Sequence, residues 1–446
     1  MMMHTNEDKI VDFLAIGVGP FNLGLACLTE MLDSVNGIFL DKSEKFDWHP
    51  GMMLQDTTLQ IPFMADLVTL ADPTNPFSFL NYIKEQGRIY SFYIRENFLL
   101  LRREYNQYCQ WAIRKLSNVH FQTEVLAVQY NDIEQCYVVF AKCVKTSQRK
   151  VYKTRKLVLG TGTQPYIPKC CETLKESVIH SSQYLYQKEK LQSKKSITVL
   201  GSGQSAAEIF YDLLQDIDQK DYELNWITRS PRFFPLEYSK LTLEMTSPEY
   251  VDYFYNLPSS KREDLINNQK HLYKGINQDL IADIFDLMYT KQLTHKLKVN
   301  LRTNSALQKA VYDDVLEKFY LEIHQEEQHK HYSHETEGLI LSTGYAYRQP
   351  EFIEGIKDRI CWDEKGRYDV HRNYAIDTKG QDIFVQNAEL HTHGFVTPDL
   401  GMACYRNSYI IKELTGVDHY PIEKRIAFQQ FEVTKEEEIT VEEVVR

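Results

Sequence analysis

An α/β protein with two Rossmann-like dinucleotide-binding domains and a small helical insertion is the fold class this sequence predicts. Three observations carry it. A strand–glycine turn–helix pattern begins at Val11, a second begins at Ile197, and two further buried strands each end in a small-Thr-Gly turn. At 446 residues the chain is too long for one ordinary core, so two or three domains are expected.

The first pattern reads VDFLAIGVGPFNLGLACL. A buried strand over 11–16 runs into Gly17-Val18-Gly19-Pro20-Phe21-Asn22, a G-x-G-x-x-G arrangement with Asn22 in the third slot, and an apolar helix follows. Gly17 permits the tight turn, and Gly19 lets the backbone approach a pyrophosphate at the helix N-terminus. The next strand, GIFLD, ends in Asp41, 24 residues after Gly17, at the spacing of a ribose-binding acid. An acid-ended site of this kind suits FAD.

The second pattern, SITVLGSGQSAAEIF, carries Gly201, Gly203, Gln204 and Ser205, with small residues where close helix–strand packing is needed. Its following strand, LNWITRS, ends in Arg229 rather than an acid. A cation there suits the 2′-phosphate of NADPH. One dinucleotide then holds electrons for chemistry and the other delivers them as hydride.

The segments LVLGTGTQPYIP and LILSTGYAYRQP read as the places where the chain crosses between two nucleotide domains, so the second domain lies inside the first. The expected map is an FAD domain over 8–168, an NADPH domain over 190–370, and an FAD-domain return over 371–425. Amphipathic helices over 234–292 form an insertion above the active site, 426–446 is a charged tail, and its last stretch, VTKEEEITVEEVVR, is a solvated, partly ordered end.

Composition narrows the function. The formal charge of −11 argues against nucleic-acid binding. The apolar run at the first turn is broken by Asp12, Pro20 and Asn22, so no membrane span is expected. Eight cysteines contain no C-x-x-C pair, which disfavours a dithiol redox centre and fits thiols in the cytoplasm. His391 and His393 in HTHG have two-residue spacing but no acidic or thiol companion, so no metal is assigned.

Together, GVGPFNLG, FDWHPGM, LQIPFMADLVTLADPTNPFSFLNYI, LGTGTQPYIP, GSGQSAAE, STGYAYR and NAELHTHGF resemble the flavin-dependent N-hydroxylating monooxygenases, the lysine and ornithine N-hydroxylases of siderophore biosynthesis. The resemblance runs from about residue 11 to 411. It implies that NADPH reduces FAD, that O₂ adds at the flavin C4a position, and that the resulting hydroperoxide oxygenates a primary amine in a dry cavity. It also implies a homo-oligomer, a tetramer in this family. Trp48, His49 and Gln60 are expected against the flavin, Gln60 because an amide can both donate and accept at the ring edge.

Three departures from the amino-acid-specific members point one way. Ala65 stands where the resemblance implies a lysine that grips the substrate carboxylate, Leu243 where it implies Asn or Asp, and Gly401 where it implies a serine. Losing the lysine would leave a buried carboxylate unpaired, at a cost of several kcal/mol. The expected substrate is therefore an amine without that carboxylate, putrescine or cadaverine above all, with Asp399 or Glu244 holding the distal ammonium and Asn277 near the reacting amine. L-Lysine, histamine, or another NADPH-dependent flavin monooxygenation such as ketone or sulfide oxidation are the alternatives.

Overall fold

Apolar strands without polar alternation need cover on both faces, which parallel sheets flanked by helices provide. In the computed structural model, which describes residues 9–294, 296–423 and 425–439, both strand–turn–helix units are used this way. The strand Ile10–Ile16 leads into the helix Pro20–Thr29 and pairs in parallel with Gly37–Leu40 on one side and with Arg149–Leu159 on the other. The strand Arg149–Leu159 serves two purposes. Its first half joins an antiparallel hairpin, Thr123–Asn131 and Cys136–Cys143, and its last residues pair in parallel with Ile383–Val385. The chain thus returns to its first sheet some 220 residues after leaving it, as 383 follows 159.

The second sheet is parallel throughout, in the order Ile179–His180, Gly338–Leu341, Ser196–Leu200, Glu223–Ile227, Val299–Arg302. An antiparallel three-stranded sheet, Ser305–Asp313, Lys318–Gln325 and Lys330–Thr336, is appended to it. The two crossing segments meet: Thr163–Pro165 and Tyr345–Tyr347 form their own antiparallel pair. Gly162 (φ +69°) and Gly344 (φ +82°) turn the chain into it, in a backbone region that disfavours other residues.

Between Lys240 and Gln292 the chain is helical, in five pieces: Lys240–Leu243, Pro248–Asn256, Ser259–Asn268, His271–Lys274 and Gln278–Gln292. Pro248 opens the second, and the Ser247 hydroxyl accepts from the Tyr250 amide as its cap. That helix buries Tyr250, Val251 and Phe254 and sets Tyr250 against Phe395, just beyond the helix Leu390–His393.

The charged tail begins docked on the insertion. Glu249 accepts from the Ile426 and Ala427 amides, Glu244 accepts from Phe428 and Gln429, and Phe431 packs on Tyr250. Free carboxylates on the insertion supply partners that the tail composition alone does not reveal. Residues 440–446 lie outside the described residues, as does residue 8. Among the described residues, no helix is long and apolar enough to cross a membrane. The eight cysteines are free thiols, five of them buried.

Candidate active site

The first glycine turn makes an open cradle. A Cβ on Gly17 (φ +91°) would fall 2.3 Å from the Gly160 carbonyl oxygen, so only glycine fits that crossing. A Cβ on Gly19 would meet nothing within 4 Å. Space therefore lies in front of the N-terminus of Pro20–Thr29, where backbone amides attract an anion. Asp41 accepts from the Val18 and Ser43 amides, both at 2.7 Å, which fixes its carboxylate beside the turn. Asn22 is corrected from cofactor contact to structural support. Its Nδ2 donates to Gly17 O at 2.7 Å and its Oδ1 accepts from Gln386 Nε2 at 2.6 Å, so both amide ends are committed.

Arg406 braces this turn from behind. Its guanidinium lies 4.6 Å from the Phe21 ring centroid, pairs with buried Glu389, and donates to Thr397 O. The turn under the first dinucleotide and the loop after HTHG are thereby tied together.

Trp48 and His49 sit at one wall. Trp48 packs on Tyr105 and His49, and its amide donates to Asn106 Oδ1. His49 adopts a left-handed backbone (φ 51°) that starts the Pro50–Met52 turn. Burial, with Arg102 adding to it, lowers the His49 pKa to about 4, so the ring is neutral at physiological pH. Gln60, on the strand Thr58–Pro62, reaches across to the second nucleotide unit, its Nε2 lying 3.3 Å from Gln204 Oε1.

The second turn repeats the first. A Cβ on Gly201 (φ +139°) would lie 2.2 Å from Ser342 O, whereas one on Gly203 has only Lys274 O, at 3.8 Å. Gln204 and Ser205 begin the helix Gln204–Lys220. Arg229 is exposed beyond the end of the strand Glu223–Ile227. Burial first, then neighbouring Lys270 and Arg229, depress the Lys274 pKa. Three cations gathered around one site suit an anionic phosphate.

Ala65 and Gly401, 336 positions apart in sequence, face one another. A Cβ on Gly401 would lie 3.6 Å from Ala65 Cβ and 3.2 Å from Asp399 Oδ1. Asp399 accepts from the Gly401 amide at 2.8 Å, and burial raises its carboxyl pKa although the side chain keeps an accessible face. Asp66, next to Ala65, holds the stretch in shape by accepting from Val68, Thr69 and Phe79 amides.

One expected substrate contact is corrected. Glu244 turns to the C-terminal segment, where backbone amides of Phe428 and Gln429 claim its carboxylate. Asn277 caps the helix Gln278–Gln292, its Oδ1 accepting from Asp279 and Leu280 amides. Leu243 ends a one-turn helix with 46% of its surface exposed. The HTHG histidines hold backbone: His391 Nε2 bonds Tyr368 O at 2.8 Å and His393 Nε2 bonds Arg372 O at 3.2 Å.

Residues 9–347 match the family described as L-lysine 6-monooxygenase/L-ornithine 5-monooxygenase. The chain belongs to this family. It is 55% identical over 425 residues to a putrescine N-hydroxylase of Shewanella oneidensis, covering 95% of this chain and 85% of that one. A putrescine N-hydroxylase of Acinetobacter baumannii is 47% identical, with 98% and 96% covered. Among solved structures, the FAD-bound cadaverine monooxygenase DfoA of the Erwinia amylovora desferrioxamine pathway superposes with a TM-score of 0.94 at 58% identity, covering 96% of this chain and all of that one.

Within this lysine/ornithine monooxygenase frame, several residues escaped the sequence reading. Lys270 and Lys274 sit in the helical insertion, far in sequence from Arg229, and only folding gathers them. Arg102 and Glu208 form a buried pair between the two nucleotide units, with N–O distances of 2.7 and 3.0 Å. Glu208 closes the GSGQSAAE motif, where an acid among apolar neighbours was the one available signal.

Proposed function

We propose that this protein is an FAD- and NADPH-dependent monooxygenase that N-hydroxylates one end of a short diamine such as putrescine or cadaverine, for hydroxamate siderophore synthesis. The overall reaction is RNH₂ + O₂ + NADPH + H⁺ → RNHOH + NADP⁺ + H₂O. Bound FAD supplies the activation of O₂. The open cradles at Gly19 and Gly203 fit two dinucleotide pyrophosphates, with Asp41 beside the first and Arg229 with Lys270 and Lys274 beside the second.

The observation that carries the substrate reading is the corner made by Ala65, Gly401 and Asp399. Two residues without long side chains leave room there, and Asp399 borders it with a carboxylate in desolvating surroundings, on which the Arg406 charge also acts. A buried anion is costly unless paired, so this corner favours an ammonium and repels the carboxylate of an α-amino acid. With the distal ammonium held by Asp399, the other amine extends toward Gln60. Phe254, Tyr250 and Tyr273 of the insertion pack around Gly394 and Phe395, which removes water and helps the reacting amine to shed its proton.

The test is NADPH oxidation with hydroxylamine detection on putrescine, cadaverine, lysine, ornithine and histamine. Coupled turnover of diamines is expected; coupled turnover of lysine with none on diamines would overturn the reading. Ala65→Lys places an ammonium beside Asp399 and should raise the diamine KM. A diamine KM unchanged by it would move the distal site elsewhere. We place the enzyme in the cytoplasm, in keeping with its free thiols. We also take it as a homo-oligomer, supported by the exposed apolar face of the helix Ile89–Arg95, where Tyr90, Tyr93 and Ile94 are each more than 70% exposed; light scattering measures the assembly.

A further inference from the structure

One buried ion pair is joined to the site by a chain of hydrogen bonds whose direction is forced. Arg102 follows the strand Leu99–Leu101 of the first nucleotide unit, and Glu208 lies in the helix Gln204–Lys220 of the second. Arg102 grips both Glu208 oxygens and also donates to Met52 O at 2.8 Å, in the turn after Trp48 and His49. The side chains are 13% and 3% exposed, so removal of either would strand a charge.

Glu208 Oε1 accepts from Gln204 Nε2 at 2.9 Å. A carboxylate paired with arginine can only accept, so Gln204 must turn its NH₂ that way. Its oxygen then faces the Asn277 amide, a donor, at 2.8 Å, which enforces the same orientation. Gln204 Oε1 and Gly275 O, both acceptors, lie 3.3 and 3.5 Å from Gln60 Nε2. Gln60 is therefore obliged to spend its NH₂ on protein oxygens. Tyr238 is a further hydrogen-bonding neighbour of Gln60. With the NH₂ spent, the Tyr238 hydroxyl can meet only Oε1, whose second lone pair is the acceptor left for a ligand.

We infer that the Arg102–Glu208 pair is a positioning element that, through Gln204, makes Gln60 present a hydrogen-bond acceptor to an N–H group of the bound cofactors. This replaces the expectation that Gln60 both donates and accepts at the ring edge. The relay also makes the acceptor conditional on contact between the two nucleotide units, since its ends, Arg102 and Gln60, lie in the first and its middle links, Glu208 and Gln204, in the second. The inference rests on Gln60 lining the flavin site.

The test uses the full-length, FAD-loaded enzyme with putrescine. Hydroxylamine formed per NADPH oxidised is measured for Glu208→Gln, Gln60→Met and the double variant, with H₂O₂ as the complementary product. Glu208→Gln keeps shape but can present NH₂ to Gln204, which unlocks the relay. Its coupling should fall roughly fivefold, the worth of one hydrogen bond, with the NADPH KM unchanged. In the Gln60→Met background the same change should have no further effect. Additive losses, or unchanged coupling in Glu208→Gln, would overturn the relay. Should Glu208→Gln not fold, Gln204→Met breaks the chain below an intact ion pair and must lose coupling in the same non-additive way. A wild-type enzyme without amine-dependent coupled turnover would instead count against the proposed function.

Discussion

Asp399 shows how much one side chain's surroundings decide. On the sequence it is an acid near a loop; in the fold its carboxylate faces a corner emptied by Ala65 and Gly401. Because burial raises its pKa above the unfolded value, the charged form is penalised in the folded protein. That penalty is absent below the unfolded pKa and complete above the folded one. Asp399→Asn, which can still accept from Gly401, should raise the putrescine KM by roughly tenfold or more, the loss of a charge-assisted hydrogen bond. Without amine it should leave Tm unchanged at acid pH and raise it at neutral pH. A Tm that falls at neutral pH would show that the carboxylate stabilises the fold. His49 titrates at about 4, so this imidazole contributes no ionisation to rate profiles between pH 6 and 9.

Elements carry the second set of consequences. The strand Glu223–Ile227 delivers Arg229, and the one-turn helix His271–Lys274 delivers Lys274 to the same neighbourhood. Arg229→Ala should raise the NADPH KM by roughly tenfold while sparing the NADH KM, because only NADPH carries the 2′-phosphate. Equal effects on both coenzymes would place Arg229 elsewhere. The helix Pro248–Asn256 supports Phe395 on one side and receives residues 426–431 on the other. A chain ending at Arg425 should lose Tm and show a higher amine KM, measured by thermal denaturation and steady-state kinetics. Amide donors from the docked segment lower the Glu244 and Glu249 pKa values, so docking weakens as pH falls through them.

At the scale of the whole molecule, the second parallel sheet interrupts the first, and the chain passes between them twice. Those passages pair as Thr163–Pro165 with Tyr345–Tyr347, so the relative placement of the two cradles depends on a three-residue ladder and two left-handed glycines. Gly344→Val forces a β-branched residue to φ +82°, at a cost of at least about 1–2 kcal/mol. Flavin reduction by NADPH, followed by stopped flow, should slow while FAD content is retained. Loss of FAD with normal reduction of the remainder would mean that the ladder serves the first cradle alone.

What was legible in the sequence is what short-range physics encodes. Gly17 and Gly201 announce turns that only glycine completes, and Gly19 and Gly203 announce open space before a helix. The roles of Glu244 and Asn22 were not legible, because each was decided by a competitor for its hydrogen bonds: the C-terminal amides and Gln386. Sequence by itself determined two dinucleotide units and the cofactors they hold. Only the tertiary structure set Ala65 and Asp399 against Gly401, gathered Lys270 and Lys274 near Arg229, and fixed which way Gln60 points. Hydrogen-bond direction is a property of the whole chain of partners, and those partners are brought together only when the two sheets pack.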